Sequence, residues 1–410
     1  MKEVTELPDP NSFESEGRFK QLVQHADHAF SVFAWQPGPS KVEFAEVFDQ
    51  QHFPLNQREL KPSGWRLESP VGLRLMDRLK KCSTPLGQYC QGRFYRGILT
   101  GYNDAFVIDR GTRDRLIAEH PSSEKVLKPF LRGRDVKRWR CEFADQYLVK
   151  IESSENVAHP WSGKGANEAE AIFKKTYPAI HAFFNSTGHR DRLIERYDQG
   201  HYFWELRSCK YWNEFSQTKI IVPAIQDAVK FAPDHDGYFG NNKLSVFLPP
   251  SVPFALACVN STVAQWVVIQ TFSTKQGGFY DFEPRYSSTL PIPAATAEQK
   301  QHCESLSHAL IALHRPDAAA LPNRSLMVAY LEQWLNGLVY ELFFPGELHS
   351  RNLHLFTTTA SLSLPAPDAS GYLEHLQAAF TRAHDLKHPL RAMLADLQTI
   401  EEVRIIEGEK

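Results

Sequence analysis

The residues best suited to chemistry lie between Glu124 and Cys141, which read EKVLKPFLRGRDVKRWRC. Lys125, Lys128, Arg132, Arg134, Lys137, Arg138 and Arg140 are set against only Glu124 and Asp135, a local net charge of +5. Guanidinium forks match phosphate oxygens and the O6/N7 edge of guanine, while lysine neutralises phosphate as a point charge. The run therefore suits a nucleic-acid backbone with some reading of bases. Gly133 lets the chain turn inside it, and Trp139 can stack or anchor. The competing reading of the same residues is a solvated charged loop. Asp135-Val136-Lys137 has the D-x-K tail of a metal-dependent nuclease motif. No Pro-Asp stands at a plausible distance upstream, so a surface charge pair is expected there instead.

Other chemistries are excluded by pattern. There is no P-loop, no HExxH and no GxSxG. The pair Gly277-Gly278 follows Lys275-Gln276 and not a strand, so no glycine turn for a methyl-donor cofactor is found. Pro249-Pro250 follows Leu248, so the Asn/Asp-Pro-Pro-aromatic segment that holds a flipped base's amino group is missing too. Six cysteines, at 82, 90, 141, 209, 258 and 303, form no CxxC pair, which argues for free thiols in a reducing compartment. His181, His189 and His201 are read as structural or solvent-facing.

Several elements must position the basic run. Ala29–Trp35 is rich in β-formers and is stopped by Pro37-Gly38-Pro39. Val71–Lys81 fits an amphipathic helix with Leu73, Met76 and Leu79 on one face. Short β-rich runs follow at 93–100, 105–109, 147–151, 219–225 and 244–248. Helical stretches fall at 169–185, 190–197 and 254–269. Strands and helices do not alternate regularly, which predicts an α+β fold. Thr296-Ala297-Glu298-Gln299 is a capping box that opens an all-helical region. Further helices are expected at 326–343, 372–386 and 390–397, with a last short turn at 399–402. The stripe Leu331, Leu335, Leu338 and Leu342 reads as core or interface. The expected organisation is a lead-in over 1–85, a mixed-sheet domain over 86–295 and a helical lobe over 296–410.

The chain has 410 residues, 42% of them apolar and 23% charged, which is ordinary for a globular protein with a full core. The net charge of −2 excludes coating of nucleic acid by bulk charge. It hides an uneven distribution, because residues 91–230 carry net +5 and residues 331–410 carry net −5. The start, Met1-Lys2-Glu3-Val4-Thr5-Glu6, lacks an apolar core, so no signal peptide is expected. Asn260, Ser261 and Gln265 interrupt the longest apolar stretch, so no membrane span is expected and the reading is a cytoplasmic protein.

Several strings in order resemble one family. They are YRGILTGYNDAFVIDR (95–110), EKVLKPFLRGRDVKRW (124–139), FWELRSC with F-S-Q-T-K before IIVPAI (203–225), Asn260-Ser261 opening a helix, Lys275-Gln276-Gly277-Gly278-Phe279, and Leu290-Pro291-Ile292-Pro293. The set is similar to the TaqI-like C-terminal specificity domain. That domain recognises the target in N6-adenine DNA methyltransferases and single-chain type IIG restriction-modification enzymes. LNGLVYELFFPGELH (335–349) and HPLRAMLADLQTIEEVRIIEG (388–408) resemble the helical end of the long relatives. The resemblance spans about residues 65–410. Residues 1–65 resemble at most the last strands of a methyltransferase domain, or a linker from one.

The resemblance implies double-stranded DNA as a partner, together with a methyltransferase domain or subunit, and no membrane. It implies no catalytic residue and no cofactor in this chain. S-adenosylmethionine, and Mg2+ if a nuclease domain exists, would belong to the missing catalytic part. Candidate DNA contacts are Lys128, Arg132, Arg134, Lys137, Arg138 and Arg140, followed by Asn103, Arg190, Arg192, Arg207, Lys275 and Gln276. Asn103 and Gln276 have amides that suit adenine N6/N7. Trp204, Glu205 and Arg207 read better as a packing and ion-pair element, and Gly101 and Gly133 as turn residues. The alternative function is a protein-docking module of such a system that does not bind DNA by itself.

Overall fold

The computed structural model describes residues 29–32, 48–49, 52–57, 69–186 and 188–408. Chain contacts divide it between Lys81 and Cys82 into two compact units. In the first, strands Ala29–Val32 and Phe53–Asn56 pair antiparallel, with Val32 opposite Phe53. The rest of the strand expected to Trp35, and its Pro37-Gly38-Pro39 stop, lie outside the described residues. Helix Pro70–Lys81 starts on proline, a residue suited to the first turn, and ends on Arg78, Lys80 and Lys81, which complement its carbonyl end. Its buried residues are Gly72, Leu75, Met76 and Leu79.

The second unit is α+β, as expected. Strand Lys219–Pro223 lies inside a four-stranded antiparallel sheet, between Ala232–Asp234 and Leu244–Phe247, with Phe94–Arg96 at the far edge. Every residue of Lys219–Pro223 is buried, as a strand covered on both faces requires. A second sheet orders Phe239–Gly240, Leu127–Leu131, Gln146–Val149 and Val107–Asp109, its first pair parallel. Gly97 sits where two backbones meet. A Cβ there would lie 1.9 Å from the carbonyl oxygen of Asn241. Gly97→Ala should therefore cost ~3 kcal/mol in chemical denaturation, an overpacking cost set against backbone that cannot retreat.

Several expected helices are broken for local reasons. The stretch 169–185 becomes Ala166–Thr176 and Pro178–Phe184, because Pro178 has no N–H to continue the first helix and starts the second. The stretch 254–269 becomes Val252–Val259 and Thr262–Thr271, bent by 59°. At the bend the Ser261 hydroxyl caps the second helix by accepting from Ala264 N–H. Buried Asn260 exchanges two 3.0 Å hydrogen bonds with the Phe231 backbone. The strand expected at 105–109 is a helical turn, Asn103–Phe106, followed by Val107–Asp109. Helix Arg110–Glu119 was not foreseen, although Asp109 caps it by accepting from Thr112 N–H at 2.7 Å.

The capping box of Thr296 and Gln299 is present and opens helix Ala297–Leu313. Helices Arg324–Phe343, Tyr372–Ala383, Pro389–Asp396 and Glu401–Glu407 complete the helical region. Leu331, Leu335 and Leu338 are buried in it. Among the described residues, no single helix is long and apolar enough to cross a membrane.

Candidate nucleic-acid interface

An open cleft of about 520 Å³ is lined by the turn Gly133–Asp135, strand Val136–Lys137, the end of strand Lys219–Pro223 and strand Ile225–Gln226. Arg134, Lys137, Lys230 and Lys243 set four cations around it. Asp227 is the acidic residue of the lining, and it pairs with Lys230. Arg134 and Lys243 are exposed, with no ion-pair partner among the described residues, while Lys137 Nζ is 3.9 Å from Glu142. Lys243 reaches the cleft because its carbonyl accepts from Ala224 N–H at 2.8 Å, which ties its turn to the neighbouring strand. Gly133 opens the turn Gly133–Asp135, as expected of it, without a positive φ. It lines the cleft, where a Cβ would touch Lys243 only at 3.6 Å. Gly101, by contrast, has φ +69°.

The far side of the cleft includes a β-hairpin. Strands Thr274–Lys275 and Phe279–Asp281 are joined by Gln276-Gly277-Gly278, and the hairpin continues a sheet with Ile225–Gln226. Gly277 and Gly278 have φ of +81° and +79°, which a side chain at either position would strain. Burial acts to raise the pKa of Asp281, but the Glu283 N–H, Arg285 and Lys275 together hold this carboxyl below its ordinary range. Lys275 stands 3.3 Å and Arg285 2.9 Å from it, so the carboxylate clamps the hairpin base.

Ile225 and Phe279 are large apolar side chains of the lining that remain exposed, at 52% and 39%. Gln226 between them is 3% exposed. Neither its Oε1 nor its Nε2 finds a hydrogen-bond partner among the described residues. A buried primary amide with both ends unpaired is costly, and it is the group that pairs with both N6 and N7 of adenine.

The expected contact residues separate by their partners. Arg134 and Lys137 line the cleft, and Lys275 and exposed Gln276 lie on the hairpin that supplies Phe279. Other members of the run are engaged inside the protein. Arg132 makes two bonds to the Asp135 carboxylate, at 3.0 and 3.1 Å. Asp135 is buried and gives both oxygens to Arg132, so in place of the expected surface charge pair the D-x-K aspartate forms a buried pair with Arg132, in which Lys137 takes no part. Arg138 donates to Asn260 O at 2.6 Å and lies 3.3 Å from Glu332, and burial lowers its pKa. Arg140 donates to His314 O at 3.0 Å and pairs with Glu142. Trp139 is buried with φ +70°, an unusual conformation for an aromatic residue, and its indole N–H donates to Glu332 at 2.8 Å. It anchors and does not stack on a ligand.

Lys128 is half-buried on strand Leu127–Leu131, opposite Leu148. Arg190 grips Glu170 through two nitrogens and lies 4.8 Å over the Phe203 ring. Arg192 sits over Tyr102, and exposed Arg207 pairs with Asp198 at 3.2 Å. Asn103 accepts a 2.6 Å bond from the Thr100 hydroxyl. None of these five lines the cleft. Glu205 is fully buried and accepts from the Ser154 hydroxyl and N–H, the Trp161 indole and the His201 N–H, the packing element expected of that string. Sequence reasoning missed Ile225, Gln226, Lys230, Lys243 and Phe279 as a group. Ile225 and Phe279 did fall inside strings already noted.

No curated protein matches the chain. Among solved structures, the type IIL restriction-modification enzyme MmeI, solved in complex with DNA, is similar at 13% identity with a TM-score of 0.40. The match covers 64% of this chain, and the chain spans about a third of that one, 34%. The family model of the TaqI-like C-terminal specificity domain matches residues 128–292. Every residue that lines the cleft falls within that range, so the part of this protein that holds the cleft is the part that matches a TaqI-like C-terminal specificity domain.

Proposed function

We propose that this chain is the sequence-specific duplex-DNA recognition module of a restriction-modification system, and that the cleft of Arg134, Lys137, Lys243 and Gln226 is its reading surface. The unpaired Gln226 amide in one cleft with the exposed, unpartnered Arg134 and Lys243 is the observation that carries this reading. Arg134, Lys137 and Lys243 would neutralise phosphates and set register, and the release of counterions would supply affinity. A two-stranded ribbon such as Thr274–Asp281 fits the major groove, which is ~12 Å wide. There the Gln226 amide, buried with neither end paired, would turn outward to accept from adenine N6 and donate to N7, and Ile225 or Phe279 would touch a thymine methyl. The chain would thereby position DNA for adenine-N6 methylation by a domain outside it, which would hold S-adenosylmethionine. The match of residues 128–292 to a specificity domain supports the same reading.

The test is selection from a random duplex library at ~150 mM salt, where nonspecific binding is already weak. Enrichment of one short sequence is expected. Gln226→Ala should relax one A·T position by ~1–3 kcal/mol, about five- to 150-fold, with affinity for nonspecific duplex unchanged. A folded chain that enriches nothing would sink the proposal of independent recognition. Unchanged selectivity in Gln226→Ala would remove that residue from the reading surface.

A further inference from the structure

A second group of side chains lies in the helical region, away from the residues of the cleft. Glu341 is in the last turn of helix Arg324–Phe343 and is buried. Its Oε2 accepts the backbone N–H of Phe356 at 2.9 Å. Its Oε1 lies 2.9 Å from Nε2 of His349, the final residue of helix Pro345–His349. His354, just before helix Leu355–Thr359, stacks its ring on that of His349 with centroids 4.3 Å apart. One ligand atom from each of the three residues lies within 4.8 Å of the other two.

A carboxylate and a histidine need no third group to satisfy each other. The stacked His354 is what a simple pair leaves unexplained. One carboxylate oxygen with two imidazole nitrogens suits borderline divalent ions. At metal–ligand bonds of ~2.0 Å a tetrahedral site places its donor atoms about 3.3 Å apart, close to the spacing of Oε1 and Nε2. The Phe356 N–H fixes the carboxylate through its other oxygen, as outer-shell partners do at metal sites. The His349 side chain is 42% exposed, which leaves an entry path and room for water as a fourth ligand.

We propose that Glu341, His349 and His354 bind one divalent transition-metal ion of the zinc class, and that this ion joins the end of helix Arg324–Phe343 to the turn that follows it. The test titrates chelator-treated full-length protein with Co2+ and then Zn2+. The expected result is one equivalent of Co2+ with the intense visible bands of a four- or five-coordinate site, displaced by Zn2+. His354→Phe keeps a stacking ring and removes one ligand. It should retain the native far-UV circular dichroism and weaken Co2+ binding at least ~10-fold, since loss of an outer-shell partner alone costs that much. His349→Gln should weaken it by a similar factor. The weak spectrum of aqueous Co2+ in the wild-type protein would overturn the proposal. So would unchanged affinity in both folded variants, which would place the ion on other histidines.

Discussion

Lys219→Met should lower the unfolding free energy by ~3–5 kcal/mol, which for a domain of ordinary stability is a large share of the total. Lys219 and Asp234 face each other across neighbouring strands, form an ion pair, and are both fully buried. Burial pushes the Lys219 pKa down and that of Asp234 up, and the mutual attraction of the pair opposes both shifts. Asp234 also accepts from the N–H groups of Asp236, Gly237 and Tyr238, so its carboxylate cannot turn away when its partner is lost. Methionine fills the space of the lysine stem and leaves a charge with no counterion. The double variant Lys219→Met/Asp234→Asn keeps the acceptor oxygen and removes that charge, so it should be more stable than Lys219→Met alone. Urea denaturation of the wild type, both single variants and the double variant measures the coupling. An unaffected midpoint in Lys219→Met would show that the pair contributes nothing. The lysine of F-S-Q-T-K therefore has a structural role.

The triple variant Arg134→Ala/Lys137→Ala/Lys243→Ala should weaken duplex binding ~10²-fold at 150 mM salt, because each lost phosphate contact removes about one unit from the salt slope. The loss should be the same for preferred and random sequences, since phosphates carry no sequence information. Folding should be little altered, because Arg134 and Lys243 have no ion-pair partner among the described residues and Lys137 has only the 3.9 Å approach of Glu142. Binding isotherms at several salt concentrations separate this from the effect of Gln226→Ala, which acts on selectivity alone. A slope that stays unchanged in the triple variant would place the DNA on another surface.

Local signals were the legible ones. The box of Thr296 and Gln299 closes within four residues, and the helix 70–81 needs only its own apolar spacing. The breaks at Pro178 and Asn260-Ser261 were also written locally, yet apolar periodicity runs through both and hides them. The cleft was legible in half. The basic run was visible, but its sorting was not, because Arg138, Trp139 and Arg140 are drawn inward by Asn260, Glu332 and His314, more than a hundred residues away. Gln226 carries no mark in the sequence. Its importance lies in an amide left without a partner, on a strand placed by the long-range pairing of Ile225 with Asp281.

The inward bonds of Arg138, Trp139 and Arg140 also set how large a piece of the chain must move together if the basic run is to keep its shape. A graft that carried residues 128–292 into another scaffold would separate the basic run from Glu332 and His314. The Trp139 indole would then lose its acceptor, Arg138 its ion-pair partner and Arg140 its carbonyl acceptor, while the Trp139 backbone N–H would keep Phe231 O and Arg134 and Lys137 would keep their charge. A transplanted piece that is to keep the shape of the basic run would therefore have to include helices Ala297–Leu313 and Arg324–Phe343, with acceptor positions 314 and 332.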